Sequence, residues 1–207
     1  MRFSIPLTVS ASLCALSIAV HAQGLPPRVA PTDYASHGKA GSITIAAEFT
    51  GHSVPTQNGT FSSEDYVVVE AGLFGPEGSK VKISVEDFSL RINGKKSPTP
   101  SQPFTLVAKS LKDPEWVPPE PVEKKSKTSL GGGGGGDNGP VIPPKMPIEL
   151  RHVMDQKVQK SLMPEGERAT PVAGLLFFSY RGKTENIRSL ELVYEGAAGK
   201  GSFALQP

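Results

Sequence analysis

"SLGGGGGGDNGPVIPP", Ser129 to Pro144, sets six consecutive glycines in the middle of a chain that carries folding patterns on both sides. Three readings compete: a phosphate-cradling loop, a hinge between two domains, or slack inside one domain. The phosphate loop fails on chemistry. No Gly-Lys-Ser/Thr follows the run, and Gly182-Lys183-Thr184 lacks its partner glycine because position 177 is Phe177. Hinge or slack is decided by what lies on either side.

Upstream, Ile43, Ile45, Ala47 and Phe49 alternate with Ser42, Thr44, Ala46 and Glu48, the two-residue period of a strand with one buried face. Thr50 to Ser63 reads as a polar connection containing Pro55 and Asn58-Gly59. Tyr66 to Ala71 is β-branched and aromatic enough for a central strand, and Gly72, Gly75, Pro76 and Gly78 then turn the chain. Val81, Ile83 and Val85 predict a third strand. Phe88, Leu90 and Ile92 predict a fourth, closed by Asn93-Gly94, which tolerates positive φ. Phe104 to Val107 reads as a short edge strand, since Pro98, Pro100 and Pro103 forbid anything longer upstream.

Periodicity vanishes from Asp113 onward. Prolines, the cluster Lys124-Lys125-Ser126-Lys127 and the glycines cannot bury enough apolar area to offset their ordering entropy, so 113–146 is expected to be a disordered loop. Trp116, the only tryptophan, sits in that stretch as a fold-back or contact residue. Pro147 to Met163 predicts an amphipathic helix with Leu150, Met154, Val158 and Leu162 at successive i+4 positions, ended by Pro164. Gly174 to Tyr180 is continuously apolar, the mark of a strand buried on both faces or central in its sheet. Ile187 to Tyr194 and Gly201 to Leu205 follow as strands around a turn at Gly196 to Gly199.

Neither half holds a comfortable core of its own. Together they supply about seven or eight short antiparallel strands, the content of an immunoglobulin-like sandwich. The glycines are then slack within one domain. A tether of about 30 residues reaches roughly 30 Å as a random coil, and loop-closure entropy grows only logarithmically. The expected order is a signal peptide at 1–22, a flexible leader at 23–40, the first part of a β-sandwich at 41–112, the loop at 113–146, the helix at 147–163 and the second β part at 164–207.

The signal rests on Arg2, the apolar stretch Ile5 to Val20 and the small-x-small site Val20-His21-Ala22 before Gln23. At about 16 residues the run is short of the roughly 20 that span a bilayer. Cys14, the only cysteine, lies inside it. Leu13 precedes it where a lipoprotein site takes a small residue, so no lipid anchor is expected. Without Cys14 the mature chain has no disulfide, cysteine-ligated metal or thiol nucleophile. A disulfide-free exported chain leans towards a bacterial envelope or secreted protein. The net charge of +2 falls by one when Arg2 leaves, and that near-neutral balance offers no footprint for nucleic acid.

"YVVVEAGLFGPEGSKVKISVEDFSLRINGKK", Tyr66 to Lys96, and "LMPEGERATPVAGLLFFSYRG", Leu162 to Gly182, resemble a family of secreted bacterial modules of unknown function. The likeness lies in a "V-V-V-E" strand and turn, then "D-F-x-L" with a glycine turn, and later a Pro-Gly-Glu-type turn before a "G-x-L-x-F" strand. It covers about half the mature chain. It implies an immunoglobulin-like sandwich related to mycobacterial immunoprotective extracellular antigens, and no functional residues. The Pro/Gly insertion and the helix depart from it.

Catalytic constellations are sparse. His37, His52 and His152 are the histidines of the mature chain, with no zinc-motif spacing, and no Gly-x-Ser-x-Gly elbow occurs. Glu64-Asp65 and Glu86-Asp87 each precede a strand, where carboxylates cap turns; a calcium or glycosidase site would need both pairs to converge. Asn58-Gly59-Thr60 matches the N-glycosylation sequon. The expectation is an exported, non-enzymatic module without cofactor or metal. It binds a protein or envelope component, with Trp116, Leu150, Met154 and Val158 as contact residues. The alternative is a metal-binding or hydrolytic protein using His152, Asp155 and loop carboxylates.

Overall fold

The computed structural model describes residues 23–119 and 145–207. The expected signal peptide and residues 120–144 of the expected loop, the six glycines included, lie outside the described residues. The chain begins with two hairpins, β1 (Ser36–Ala40) with β2 (Ile43–Gly51), then β3 (Ser53–Thr56) with β4 (Gly59–Ser63). Strands β5 (Tyr66–Phe74), β6 (Lys80–Ile83), β7 (Phe88–Ile92) and the two-residue β8 (Thr99–Pro100) follow. The one-turn helix α1 (Phe104–Val107) leads to β9 (Leu111–Lys112). The later part holds α2 (Ile148–Ser161), β10 (Gly166–Ala169), β11 (Val172–Ser179), β12 (Leu190–Gly196) and β13 (Gly199–Leu205).

The chain is mostly β, and among the described residues every strand ladder is antiparallel. One four-stranded sheet runs β1-β2-β5-β11 and another runs β13-β12-β7-β8; β3-β4-β9 and β10-β6 make smaller sheets. Strands from both sides of the glycine stretch pair directly. β11 lies along β5 from Val172 opposite Leu73 to Ser179 opposite Tyr66, and β12 lies along β7 from Leu190 opposite Ile92 to Tyr194 opposite Phe88.

Side-chain alternation makes β5 and β11 serve two interiors. Val67, Val69, Ala71 and Leu73, with Leu176 and Phe178, join Phe88, Leu90, Leu192, Tyr194 and Phe203 of the other four-stranded sheet in the larger core. Val68, Leu175 and Phe177 face the opposite way and pack with Val54, Phe61, Val107, Leu111, Met154 and Val158 in a second core. This explains the continuous apolar run at Gly174 to Phe178. The strand is buried on both faces although it ends its sheet.

That end is closed rather than left as an open edge. The amides of Leu25, Met163 and Gln102 donate to the carbonyls of Ala173, Leu175 and Phe177 at 3.0, 3.1 and 2.8 Å. Gly174 makes the approach possible, because a Cβ there would stand 2.4 Å from the Met163 backbone. Ser101 reaches the other sheet as well, donating its amide to Phe88 O at 3.0 Å, so one side of the molecule is zipped from sheet to sheet.

Several expectations are corrected. Phe104 to Val107 is helical: the buried positions Val107, Ser110 and Leu111 follow a three-to-four-residue spacing, and Pro103 fixes the backbone at the start. Thr50 to Ser63 is no plain connection but the β3–β4 hairpin, seated by the cross-strand neighbours Val54 and Phe61; one apolar residue per strand left no period to read. The leader carries β1, a polar strand held by backbone pairing to β2, and Tyr34 within it is 4% exposed. Arg28 lies 4.4 Å from the centre of the Tyr34 ring and pairs with Glu48 at 2.6 Å and Glu70 at 3.3 Å, fastening this segment to β2 and β5. Gly166 to Ala169 forms β10 by backbone pairing with β6, with no buried side chain to announce it.

Candidate functional site

Helix α2 is the element the sequence singles out, and its position follows from its residues. Pro147 stands at its N-terminal boundary and its carbonyl accepts from Arg151 N–H at 3.0 Å. Met154, Val158 and Ser161 form the buried face, against the β3–β4 hairpin and the outer face of β11. Arg151 donates from Nη2 to Ala108 O at 2.7 Å, tying the helix to the turn after α1. Lys157 lies 5.8 Å from the centre of the Phe61 ring.

The predicted contact residues therefore divide. Met154 and Val158 are core residues, 2% and 0% exposed, and are spent on docking the helix. Their assignment to a contact surface is corrected, because a folded chain cannot present them. Leu150 is 51% exposed and stays available, together with Ile148 at 76% and Val153 at 47%, which the stripe reading missed because they fall off its i+4 line. Trp116 is half-buried in a separate turn, where its amide donates to Asp113 O at 3.2 Å.

The pair His152 and Asp155 does not form a hydrogen-bonded unit. His152 is exposed, and its Nε2 lies 2.9 Å from Gln156 Nε2. Asp155 Oδ1 is buried with no hydrogen-bond partner among the described residues. Burial holds its carboxyl above the ordinary range against the lowering effect of the Arg151 and His152 charges. The acidic pairs are occupied singly: Glu64 pairs with Lys112, Asp65 with Arg181 at 2.9 Å, and Asp87 accepts from Ser84 N–H at 3.3 Å. Among the described residues no three His, Cys, Asp or Glu side chains gather closely enough to hold a metal ion.

His52 is the histidine whose structural role the sequence hides. Its Nδ1 lies 2.8 Å from Ser63 O and 2.9 Å from Tyr66 O, its Nε2 lies 2.9 Å from Gly182 O, and its ring stacks on Tyr180 at 6.2 Å. Three remote segments meet on one ring. Asn58 is exposed in the turn of the β3–β4 hairpin, so its sequon is open to solvent.

A groove of about 540 Å³ opens on the side opposite the zipped one, lined by Ala35 to Lys39 before and along β1 and by Ser202 to Ala204 of β13. Among the described residues no helix is long and apolar enough to cross a membrane. No family model, curated protein or solved structure matches the chain.

Proposed function

We propose that the chain is an exported, non-catalytic module with an immunoglobulin-like sandwich that binds a protein or a cell-envelope component. The fold part of this reading draws on strand order. β2, β5 and β11 are neighbours in one sheet, while β7, β12 and β13 are neighbours in the other. That is the order in which the first, second and fifth strands of an immunoglobulin-like domain oppose its third, sixth and seventh. Helices α1 and α2 stand in the chain where that fold carries its intervening strand. The order agrees with the resemblance of Tyr66–Lys96 and Leu162–Gly182 to secreted bacterial modules.

One observation carries the binding part. Helix α2 is anchored by Met154 and Val158 yet offers Ile148, Leu150 and Val153 to solvent. Leu150 and Val153, three positions apart, share one exposed side of the docked helix, and exposed apolar neighbours are the usual substance of a contact surface. The triple variant Ile148→Asp, Leu150→Asp, Val153→Asp tests it in pull-downs from envelope extract, with near-ultraviolet circular dichroism to confirm the native core. Loss of specific recovery with an unchanged spectrum supports the reading; equal recovery of every partner rejects the helix as the contact.

A second reading, hydrolytic or metal-binding, draws on the unpartnered carboxyl oxygen of Asp155 one turn from His152. Elemental analysis together with the His152→Ala, Asp155→Ala double variant tests it. No bound metal and unchanged activity end it.

A further inference from the structure

Helix α2 and the turn of the β3–β4 hairpin enclose a pocket of about 260 Å³. One wall is Thr56, Gln57 and Asn58 of the turn; the other is α2 from Val153 to Ser161, with Gln156, Lys157 and Lys160 at the lining. Both walls are fixed by bonds that leave these side-chain ends unspent. In the turn, Thr56 Oγ1 donates to Gly59 O at 2.7 Å and accepts from Asn58 N–H at 3.3 Å. On the helix, Ser161 Oγ donates to Lys157 O at 3.2 Å, and Gly24 N–H donates to Lys160 O at 2.8 Å. The pocket is therefore formed before anything enters it.

Its charge is of one sign. Lys157 and Lys160 stand three positions apart on the helix, a spacing at which two side chains can share one partner. Neither forms any of the ion pairs found among the described residues. The lining holds no carboxylate. Asp155, two positions before Lys157, has its Oδ1 buried. The Phe61 ring, 5.8 Å from the Lys157 ammonium, steadies that side chain without neutralising it. By contrast, the hollow beside Asn93 has Glu185 and Arg188 together in its lining.

The remaining polar groups are amides. Gln57, Asn58 and Gln156 each carry both donors and acceptors, which suits hydroxyl groups, since a hydroxyl also does both. Among the described residues the side chains of Gln57 and Asn58 make no hydrogen bond, and Gln156 meets only His152, at 2.9 Å. A bare anion would engage the lysines and leave these amides to water. Val153 adds one apolar patch to the wall. At about 260 Å³ the pocket falls under the roughly 300 Å³ at which sites for drug-sized ligands begin, so it takes one ring and not a longer chain.

We propose that this pocket binds a single anionic sugar unit. Its charged group lies between Lys157 and Lys160, its hydroxyls meet the amides of Gln57, Asn58 and Gln156, and the C–H face of its ring rests on Val153. Charge-assisted hydrogen bonds to the anion supply most of the affinity, and the amides select a sugar over a simple ion. The inference rests on the binding role proposed above and gives the envelope component a chemistry: a saccharide carrying carboxylate or phosphate.

The test titrates the full chain with glucuronate and a hexose phosphate, and with glucose, acetate and inorganic phosphate as controls, reading amide chemical shifts by NMR. The two anionic sugars are expected to shift Asn58, Gln156 and Lys157 and to bind more tightly than every control. Glucuronate ahead of the hexose phosphate names a carboxylate source and the reverse order a phosphate source; either order upholds the proposal. The Lys157→Gln, Lys160→Gln double variant keeps much of each stem and should weaken binding of the anionic sugars at least about tenfold, as the loss of charged hydrogen bonds implies. Asn58→Asp sets a carboxylate in the wall while the Thr56 bonds of the turn remain, and it should weaken the anionic sugars without affecting glucose. No shifts at tens of millimolar sugar overturn the proposal, as does unchanged affinity in the double variant or in Asn58→Asp. Glucose bound as tightly as the anionic sugars also overturns it. Acetate or inorganic phosphate bound as tightly means an adventitious ion only, and overturns it as well. If no sugar binds while the α2 triple variant still loses its partner, the pocket fails and the module's binding role stands.

Discussion

Val68 and Val69 are neighbours in β5, yet they enter different interiors, as do Phe177 and Phe178 in β11. The larger core lies between the two four-stranded sheets and draws most of its residues from strands. The smaller one lies on the far face of β5 and β11 and is covered by a hairpin, a one-turn helix and α2. Their shared strands mean that the two cores cannot be independent, while their different covers mean that they need not open together. Strand-on-strand burial is held by long ladders on each side. The cover over the smaller core is held by single contacts such as Arg151 to Ala108 O, so it should open at lower free energy than the sheets.

Phe178→Ala attacks the larger core, and the loss of a fully buried aromatic ring should remove about 3–5 kcal/mol. Denaturant unfolding is expected to shift to lower concentration with all spectroscopic probes moving together. Met154→Ala attacks the smaller core and should remove about 2 kcal/mol or somewhat more. Its amide exchange should accelerate along α2 before it accelerates in β5. Equal acceleration at both sites would show that the cores open as one unit, and the distinction drawn here would fall. Arg28→Ala removes a cation stacked on Tyr34 and paired with two carboxylates, an effect of about 1 kcal/mol. It should be read locally as faster exchange at the Leu25 amide that seals β11.

Asp155→Asn has the smallest expected effect, and its direction is opposite. The folded-state carboxyl titrates above its ordinary value of 3.8 because burial disfavours the charge. The folded form therefore holds its proton more tightly than the unfolded form, and the native chain loses stability as pH rises from 3.8 through the raised value. The asparagine variant, which has no such charge to bury, should melt slightly higher than the native chain at neutral pH. That advantage should vanish as pH falls below 3.8. An advantage that persists in acid would locate the gain elsewhere.

The larger core was legible because its strands alternate. Ile43 to Phe49, Phe88 to Ile92 and Leu190 to Tyr194 each show a clean two-residue period, and the structure makes each a strand. The smaller core was half legible. The i+4 spacing of Met154 and Val158 announced α2, but β3 and β4 each bring so few buried side chains that their pairing left little mark on the sequence. β1 and β10 are held by backbone hydrogen bonds, which any residue but proline can donate, so polar side chains concealed them. The candidate surfaces were least legible. Exposure at Ile148 and Val153 depends on which flank of the helix meets the sheet, and the β1–β13 groove depends on two hairpins far apart in the chain coming side by side.

Strand β11 touches a partner in every direction: β5 along one edge, three separate segments along the other, and an interior on each face. It also lies far along the chain from β5, its main partner. Until residues 172–179 dock, Val67 to Leu73 has no strand on its far side and neither interior can close. Contacts this distant in the chain are slow to form. Both interiors therefore close on one long-range pairing, so anything that weakens the β5–β11 ladder should slow the closing of the two cores together.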